Sequence, residues 1–184
     1  MALRAFVITF TLLLTLGYAQ FQKSRTEAFL ATSSNSSESL LDSLPADHFT
    51  LFNQDGSVDP HSLLKDNSSL FVHFWATWCG PCEAEFPSLV RLARQFSGIK
   101  FLLVAVNDKE LEMKKFLKRF GSLPTNIILA MDNRQIGEQS YGVIKVPETF
   151  VVDSSSAVVK KFVGPQEWDE PYYSDFLQSL KLSI

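Results

Sequence analysis

The sequence predicts an α/β fold, a sheet of strands covered by helices, and three observations carry that expectation. Apolar runs of strand length alternate along the chain with stretches whose apolar residues recur at helical spacing. The run Phe101 to Val106 shows no polar alternation, as expected of a strand covered on both faces. Finally, 184 residues with 46% hydrophobic content suffice for one domain with a sizeable core.

Taken in order, Phe49 to Phe52 followed by Gln54-Asp55-Gly56-Ser57 reads as a short strand and turn, and Pro60 to Lys65 as one helical turn. Phe71 to Trp75 is a buried strand by its β-branched and aromatic content. Glu83 to Phe96 places Phe86, Leu89, Val90, Leu92, Ala93 and Phe96 at helical spacing, with a kink expected at Pro87. After the strand Phe101 to Val106 come a helix over Lys109 to Phe120, a strand at Ile127 to Leu129 and a short helix from Asn133 to Tyr141. Thr149 to Val152 and Val158 to Val163 are strands around the turn Asp153-Ser154-Ser155-Ser156, and Glu167 to Leu180 is the last helix.

The only two cysteines stand three apart in Trp78-Cys79-Gly80-Pro81-Cys82, between a strand and a helix. A sulfur on the first turn of a helix meets unpaired N–H groups and the positive end of the macrodipole, which stabilise a thiolate. The second sulfur lies within bonding reach. Cys79 can attack a foreign disulfide and hold a mixed disulfide, and the partner is released when Cys82 attacks Cys79. This reading expects Cys79 to be exposed and Cys82 buried. A zinc site would need two more ligands, and His48, His61 and His73 show no metal-ligand spacing around the cysteines. Haem attachment requires His after the second cysteine, where Glu83 stands. A purely structural bridge over two residues closes too small a loop to remove much unfolded-chain entropy.

Arg4 followed by the apolar run Ala5 to Ala19 reads as an export signal over residues 1–19, either cleaved after Ala19 or kept as an anchor. Residues 20–44, rich in Ser, read as a tether, and 45–184 as the folded domain. Asn35-Ser36-Ser37 and Asn67-Ser68-Ser69 match the glycosylation acceptor pattern, which has meaning only in a host that glycosylates secreted chains this way. With net charge −3 and dispersed acidic residues there is no basic footprint for nucleic acid. The locally basic stretch Lys114 to Arg119 reads as a solvated helix face or a partner patch.

Phe74-Trp75-Ala76-Thr77-Trp78-Cys79-Gly80-Pro81-Cys82, with Pro87 five residues on, resembles the active-site strand and helix of thioredoxin. Together with Tyr141 to Asp153 and Cys82-Glu83-Ala84-Glu85-Phe86-Pro87, it resembles the extracytoplasmic thioredoxin-like reductases of the ResA, CcmG (DsbE) and TlpA type. The resemblance spans roughly Pro45 to Ile184. It implies a thioredoxin fold: a central mixed sheet flanked by helices, an N-terminal hairpin extension, and a strand-helix insertion before a cis proline at Pro147. It also implies a redox-active Cys79–Cys82 disulfide with no other cofactor, and location in the periplasm or on the outer side of the cytoplasmic membrane. The client disulfide it favours is that of apocytochrome c, with a membrane thiol transporter as electron donor. A reductase of a copper-site assembly protein, a general thiol reductase and a non-enzymatic copper-handling protein stay open as alternatives.

Cys79, Cys82 and Glu85 are the expected catalytic residues, and Trp78, Gly80, Pro81, Val146 and Pro147 the expected client-binding ones. Glu85 lies one helical turn beyond Cys82, either as a proton shuttle or as a surface glutamate. His73 occupies the position of a buried Asp in thioredoxin, and is either a proton-transfer group or a core histidine bonded to a backbone carbonyl. The resemblance expects Gly in the turn after the Thr149 strand, where this chain has Ser154-Ser155-Ser156-Ala157.

Overall fold

The structure, a computed structural model, describes Gln20 and residues 41–64 and 69–182. The chain divides into two units, Met1–Glu38 and Ser39–Ile184, and the fold described here is that of the second. The expected signal segment, nearly all of the expected tether, and the sequons at Asn35 and Asn67 lie outside the described residues. Among the described residues no helix is long and apolar enough to cross a membrane.

Seven strands form one mixed sheet: β1 (Phe49–Leu51), β2 (Ser57–Val58), β3 (Leu70–Trp75), β4 (Lys100–Val106), β5 (Ile127–Asp132), β6 (Glu148–Val152) and β7 (Val158–Val163). Their order is β2-β1-β5-β4-β3-β6-β7. The β3–β4 and β4–β5 pairs are parallel, whereas the hairpin β1–β2, the pairs β1–β5 and β3–β6, and β6–β7 are antiparallel. Among the described residues, four α-helices, α1 (Gly80–Gln95), α2 (Glu110–Leu117), α3 (Ile136–Gln139) and α4 (Pro171–Leu182), connect or follow the strands.

Side chains alternate across β3, so Leu70, Val72 and Phe74 join Phe49, Val104, Tyr141 and Phe150 in one apolar layer. Phe71, His73 and Trp75 face the other layer, where α1, α2 and α4 pack. In that layer the Phe86 ring lies 5.2 Å from Trp75, 5.0 Å from Phe116 and 4.7 Å from Phe120. The face that α1 turns inward carries Cys82, Glu85, Phe86, Leu89 and Ala93. That spacing of three and four residues puts Glu85 inside an apolar stripe.

Several elements differ from expectation for local reasons. Helix α3 is shorter than Asn133 to Tyr141 because the Asp132 carboxylate accepts the backbone N–H groups of Arg134, Ile136 and Gly137. Gln135 there takes φ 58°, outside helical space. Helix α2 stops at Leu117 and tightens into a 3₁₀ turn, Lys118–Phe120, closed by Gly121 at φ 65°. The last helix starts at Pro171 rather than Glu167, since Trp168 is drawn into the core. The turn after β6 does without glycine: Asp153 Oδ1 accepts from the Ser155 N–H, the Ser155 hydroxyl and the Ala157 N–H while Ser156 takes φ 71°. Just before the expected boundary at Pro45, Ser43 bridges to Ala157 and Leu44 is buried.

Candidate active site

The site sits at the C-terminal end of β3, where the chain leaves the sheet and enters α1. Cys79 is the N-cap of that helix, with extended backbone, and its Sγ accepts the Cys82 N–H at 3.2 Å. Pro81 needs no N–H in the first turn, and Gly80 has open space around it. Cys79 and Cys82 are joined as a disulfide with Cα atoms 5.2 Å apart. The expectation that Cys79 is exposed needs correction: in this oxidised form its relative exposure is 6%, against 1% for Cys82. The order of accessibility is as expected, but both sulfurs lie in the lining of the core.

The approach to Cys79 is pinned from a direction the sequence reading did not include. Asp108, just after β4, accepts the Thr77 N–H at 2.6 Å and the Thr77 hydroxyl at 2.9 Å. The Trp78 indole N–H donates to the Asn107 carbonyl at 3.1 Å while its ring stays 61% exposed. Across from the disulfide, the Val146–Pro147 bond is cis, and the Val146 carbonyl oxygen lies 3.7 Å from Cys79 Sγ. Beside this contact opens a cavity of about 390 Å³ lined by Trp78, Val106, Val143, Ile144 and Val146 among others. Ile144 at its rim is 89% exposed.

Glu85 is buried, which rules out the surface-glutamate alternative. Its Oε2 accepts the Gln166 N–H at 2.8 Å and the Trp168 indole N–H at 3.1 Å. Burial pushes its pKa up to about 7; the hydrogen bonds from Gln166 and Trp168 hold it down in part, and the charge of Glu167 adds to the rise. Glu83, two residues earlier on the outer face, forms an ion pair with Arg119, so its charge is compensated. His73 is a buried core residue, but its Nδ1 bonds the Thr149 hydroxyl at 2.8 Å rather than a backbone carbonyl. Desolvation pushes its pKa down to about 3, so the ring is neutral near pH 7. His73 Nε2 lies 3.5 Å from Glu85 Oε1. Among the described residues no group of three or more His, Cys, Asp or Glu is placed to hold a metal ion.

Gln166, Trp168, Thr149 and Asp108 are thus parts of the site missing from the sequence reading. Trp168 and Gln166 lie more than 80 positions from Glu85, and nothing local in either segment marks the contact. Thr149 is directly opposite His73 in the β3–β6 register, so strand pairing was the signal that could have found it.

A disulfide across the first turn of a helix, reachable beside a cis proline, exchanges with other disulfides, and in class this chain is a thiol-disulfide oxidoreductase of the thioredoxin fold. The chain belongs to the Redoxin family, whose model matches residues 41–177. It is 29% identical over 178 residues to the thiol-disulfide oxidoreductase ResA of Geobacillus thermodenitrificans, covering 95% of this chain and 93% of that one. It is 36% identical over 102 residues to the thiol:disulfide interchange protein HelX of Rhodobacter capsulatus, with 55% and 56% covered. A solved chain from Chlorobium tepidum, described as a thiol:disulfide interchange protein DsbE, superposes with a TM-score of 0.63 at 28% identity, covering 77% of this chain and 99% of that one.

Proposed function

We propose that this protein reduces disulfides of client proteins outside the cytoplasm, with apocytochrome c as the favoured client. The observation that carries the reducing direction is the burial of Cys82 at 1% exposure, one helical turn before Glu85, whose carboxyl is itself buried. A strong oxidant of this fold owes its potential to a stabilised reduced form. Here a thiolate at Cys82 has apolar surroundings and Glu85 for a neighbour, both of which oppose its charge, so the dithiol gives its electrons up readily.

In the proposed cycle the reduced protein attacks as the Cys79 thiolate, whose proton has gone to water and whose charge the helix N-terminus stabilises. The client disulfide breaks, one client sulfur leaves as a thiolate, and the other is held on Cys79. Glu85, whose burial raises its pKa to about 7, takes the proton of Cys82 one helical turn away. The Cys82 thiolate then attacks Cys79 Sγ, the Cys79–client bond breaks, and the second client sulfur leaves. Two electrons have passed to the client, and Cys79–Cys82 is a disulfide again. A dithiol donor, a membrane thiol transporter on the resemblance given above, must return those electrons.

Client recognition in this reading uses the groove between Trp78 and Val146. An extended client segment pairs with the backbone before Pro147, and Gly80 and Pro81, both exposed, leave its disulfide room to approach Cys79. The apolar run after Arg4 supports export of the chain, as a cleaved signal or a retained anchor. The Cys79–Cys82 disulfide would serve as the sole redox group.

The test is capture. A Cys82→Ser variant of the full chain, expressed in its own cells, should accumulate mixed disulfides through Cys79 with proteins bearing a Cys-x-x-Cys-His segment. Mixed disulfides only with cytoplasmic proteins, or none on Cys79, would overturn the proposal.

A further inference from the structure

Beneath the disulfide, His73 and Glu85 each have one polar atom without a hydrogen-bond partner, and those two atoms face each other. Glu85 Oε2 is engaged by two donors, Gln166 N–H and Trp168 Nε1–H. Glu85 Oε1 and His73 Nε2 are buried without a hydrogen bond and stand 3.5 Å apart, just outside a good hydrogen bond and within a small side-chain shift of one. The other ring nitrogen, Nδ1, is 2.8 Å from Thr149 Oγ1, and a hydroxyl can donate or accept. Glu85, His73 and Thr149 are all buried.

We propose that His73 is a positioning residue that changes tautomer with the protonation state of Glu85, with the Thr149 hydroxyl reversing direction to match, so that the buried carboxyl binds and releases a proton at Oε1. The part this plays in exchange rests on the reading of Glu85 as acceptor for the Cys82 proton; the switch itself does not.

The placement follows from the donors. A proton on Oε2 would point at two N–H groups, so the acid proton sits on Oε1. When Glu85 is protonated, Oε1–H donates to Nε2, the ring carries its one proton on Nδ1, and Nδ1–H donates to Thr149 Oγ1. When Glu85 is ionised, the ring proton is on Nε2 and donates to Oε1, while the Thr149 hydroxyl donates to Nδ1. One proton leaves the trio between these states, to water in the resting oxidised protein, and the imidazole is neutral in both. The alternative, an imidazolium beside a carboxylate, charges a fully buried ring, which the depressed pKa of His73 opposes. A lone buried carboxyl would lose its only partner on Oε1 in one state or the other, whereas a neutral histidine supplies an acceptor to the acid and a donor to the anion.

The other titratable groups facing the trio are few. Glu167 and Tyr173, from the segment around the start of α4, act on Glu85, and Tyr173 is itself held neutral, its hydroxyl donating to Gln166. Cys79 and Cys82 share its helix but do not titrate while bonded to each other. In the oxidised protein a tautomer change of His73 near pH 7 therefore reports on Glu85.

The experiment is a pH titration of the oxidised, ¹⁵N-labelled full chain from pH 5 to 9, reading the His73 ring nitrogens by NMR and the Glu85 carboxyl by its carbon shift. The expected result is Nδ1–H at the acid end, Nε2–H at the alkaline end, and one midpoint shared with Glu85. A tautomer that stays constant through the Glu85 titration, or a doubly protonated ring, overturns the proposal. His73→Phe provides the second reading: the carboxylate loses a charge-assisted donor while the acid loses a weaker neutral bond, so the Glu85 midpoint should rise by roughly one pH unit. An unmoved midpoint overturns the proposal as well. If the midpoint moves but Glu85→Gln leaves client reduction unchanged, the switch stands and the reading of Glu85 as the Cys82 proton acceptor falls.

Discussion

Replacing Glu85 with Gln should change how the stability of the oxidised protein depends on pH, by an amount the structure allows to be worked out. Burial raises the Glu85 pKa from 4.5 to about 7. Between those values the folded protein holds a proton that the unfolded chain releases, so this group's contribution to stability is fully present below the unfolded pKa and is lost as pH rises. The loss is about 1.4 kcal/mol per pH unit, or roughly 3 kcal/mol across the window. His73 acts in the opposite sense. Its pKa falls from 6.5 to about 3, so between these values the unfolded chain holds the extra proton and stability rises with pH. The two slopes overlap and cancel between about pH 4.5 and 6.5. Wild type should therefore show a level stretch there from this pair, and Glu85→Gln should show stability still climbing to about pH 6.5. Urea unfolding of both proteins at half-unit steps from pH 4 to 8 gives the difference directly, with other carboxylates cancelling. A wild-type-minus-variant difference that is constant across this range would refute the reasoning, because it would mean Glu85 has the same pKa folded and unfolded.

Other consequences are simpler to read. In the reduced protein, brief iodoacetamide treatment should label Cys79 before Cys82, following their order of exposure, and the reverse order would overturn the assignment of the attacking thiol. Trp168→Phe removes one of two donors on Glu85 Oε2 while keeping most of the ring, and should raise the Glu85 midpoint seen by carboxyl NMR; a lowered midpoint would count against this account. Asn126→Ala takes away the amide that donates to the carbonyls of Ala93, Phe96 and Ile99 behind α1, and should cost about 1–3 kcal/mol in urea unfolding while leaving the order of thiol labelling unchanged.

What the sequence revealed of this molecule, and what it hid, divides along contact range. Strands β3, β4 and β6 are dense in β-branched and aromatic residues and were legible as apolar runs, because burial on two faces fills most of their positions with apolar side chains. The cysteine pair was legible because its chemistry is local, contained within one helical turn. The burial of Glu85 was half legible: Cys82, Phe86 and Leu89 define an inward stripe that includes it, yet the acidic type pointed outward. Its donors were not legible. Gln166 and Trp168 lie in an irregular stretch before the last helix, which was expected to begin at Glu167, and only the folded chain brings the indole N–H to the carboxylate. In the same way Asp132 shortens α3 through side-chain bonds to three backbone N–H groups, a competition between side chain and helix that propensity alone does not decide.

The central claim, that Cys79 and Cys82 form a reducing couple, is tested most directly by its potential. The full chain is equilibrated with glutathione buffers of graded ratio, quenched with acid, and scored for the fraction of Cys79–Cys82 disulfide. A Cys82 thiolate opposed by an apolar layer and a neighbouring carboxylate places the midpoint nearer to the value of about −270 mV of thioredoxin than to the value of about −120 mV of a strong oxidant. A midpoint close to about −120 mV would mean that the reduced form is stabilised after all, and would contradict the account.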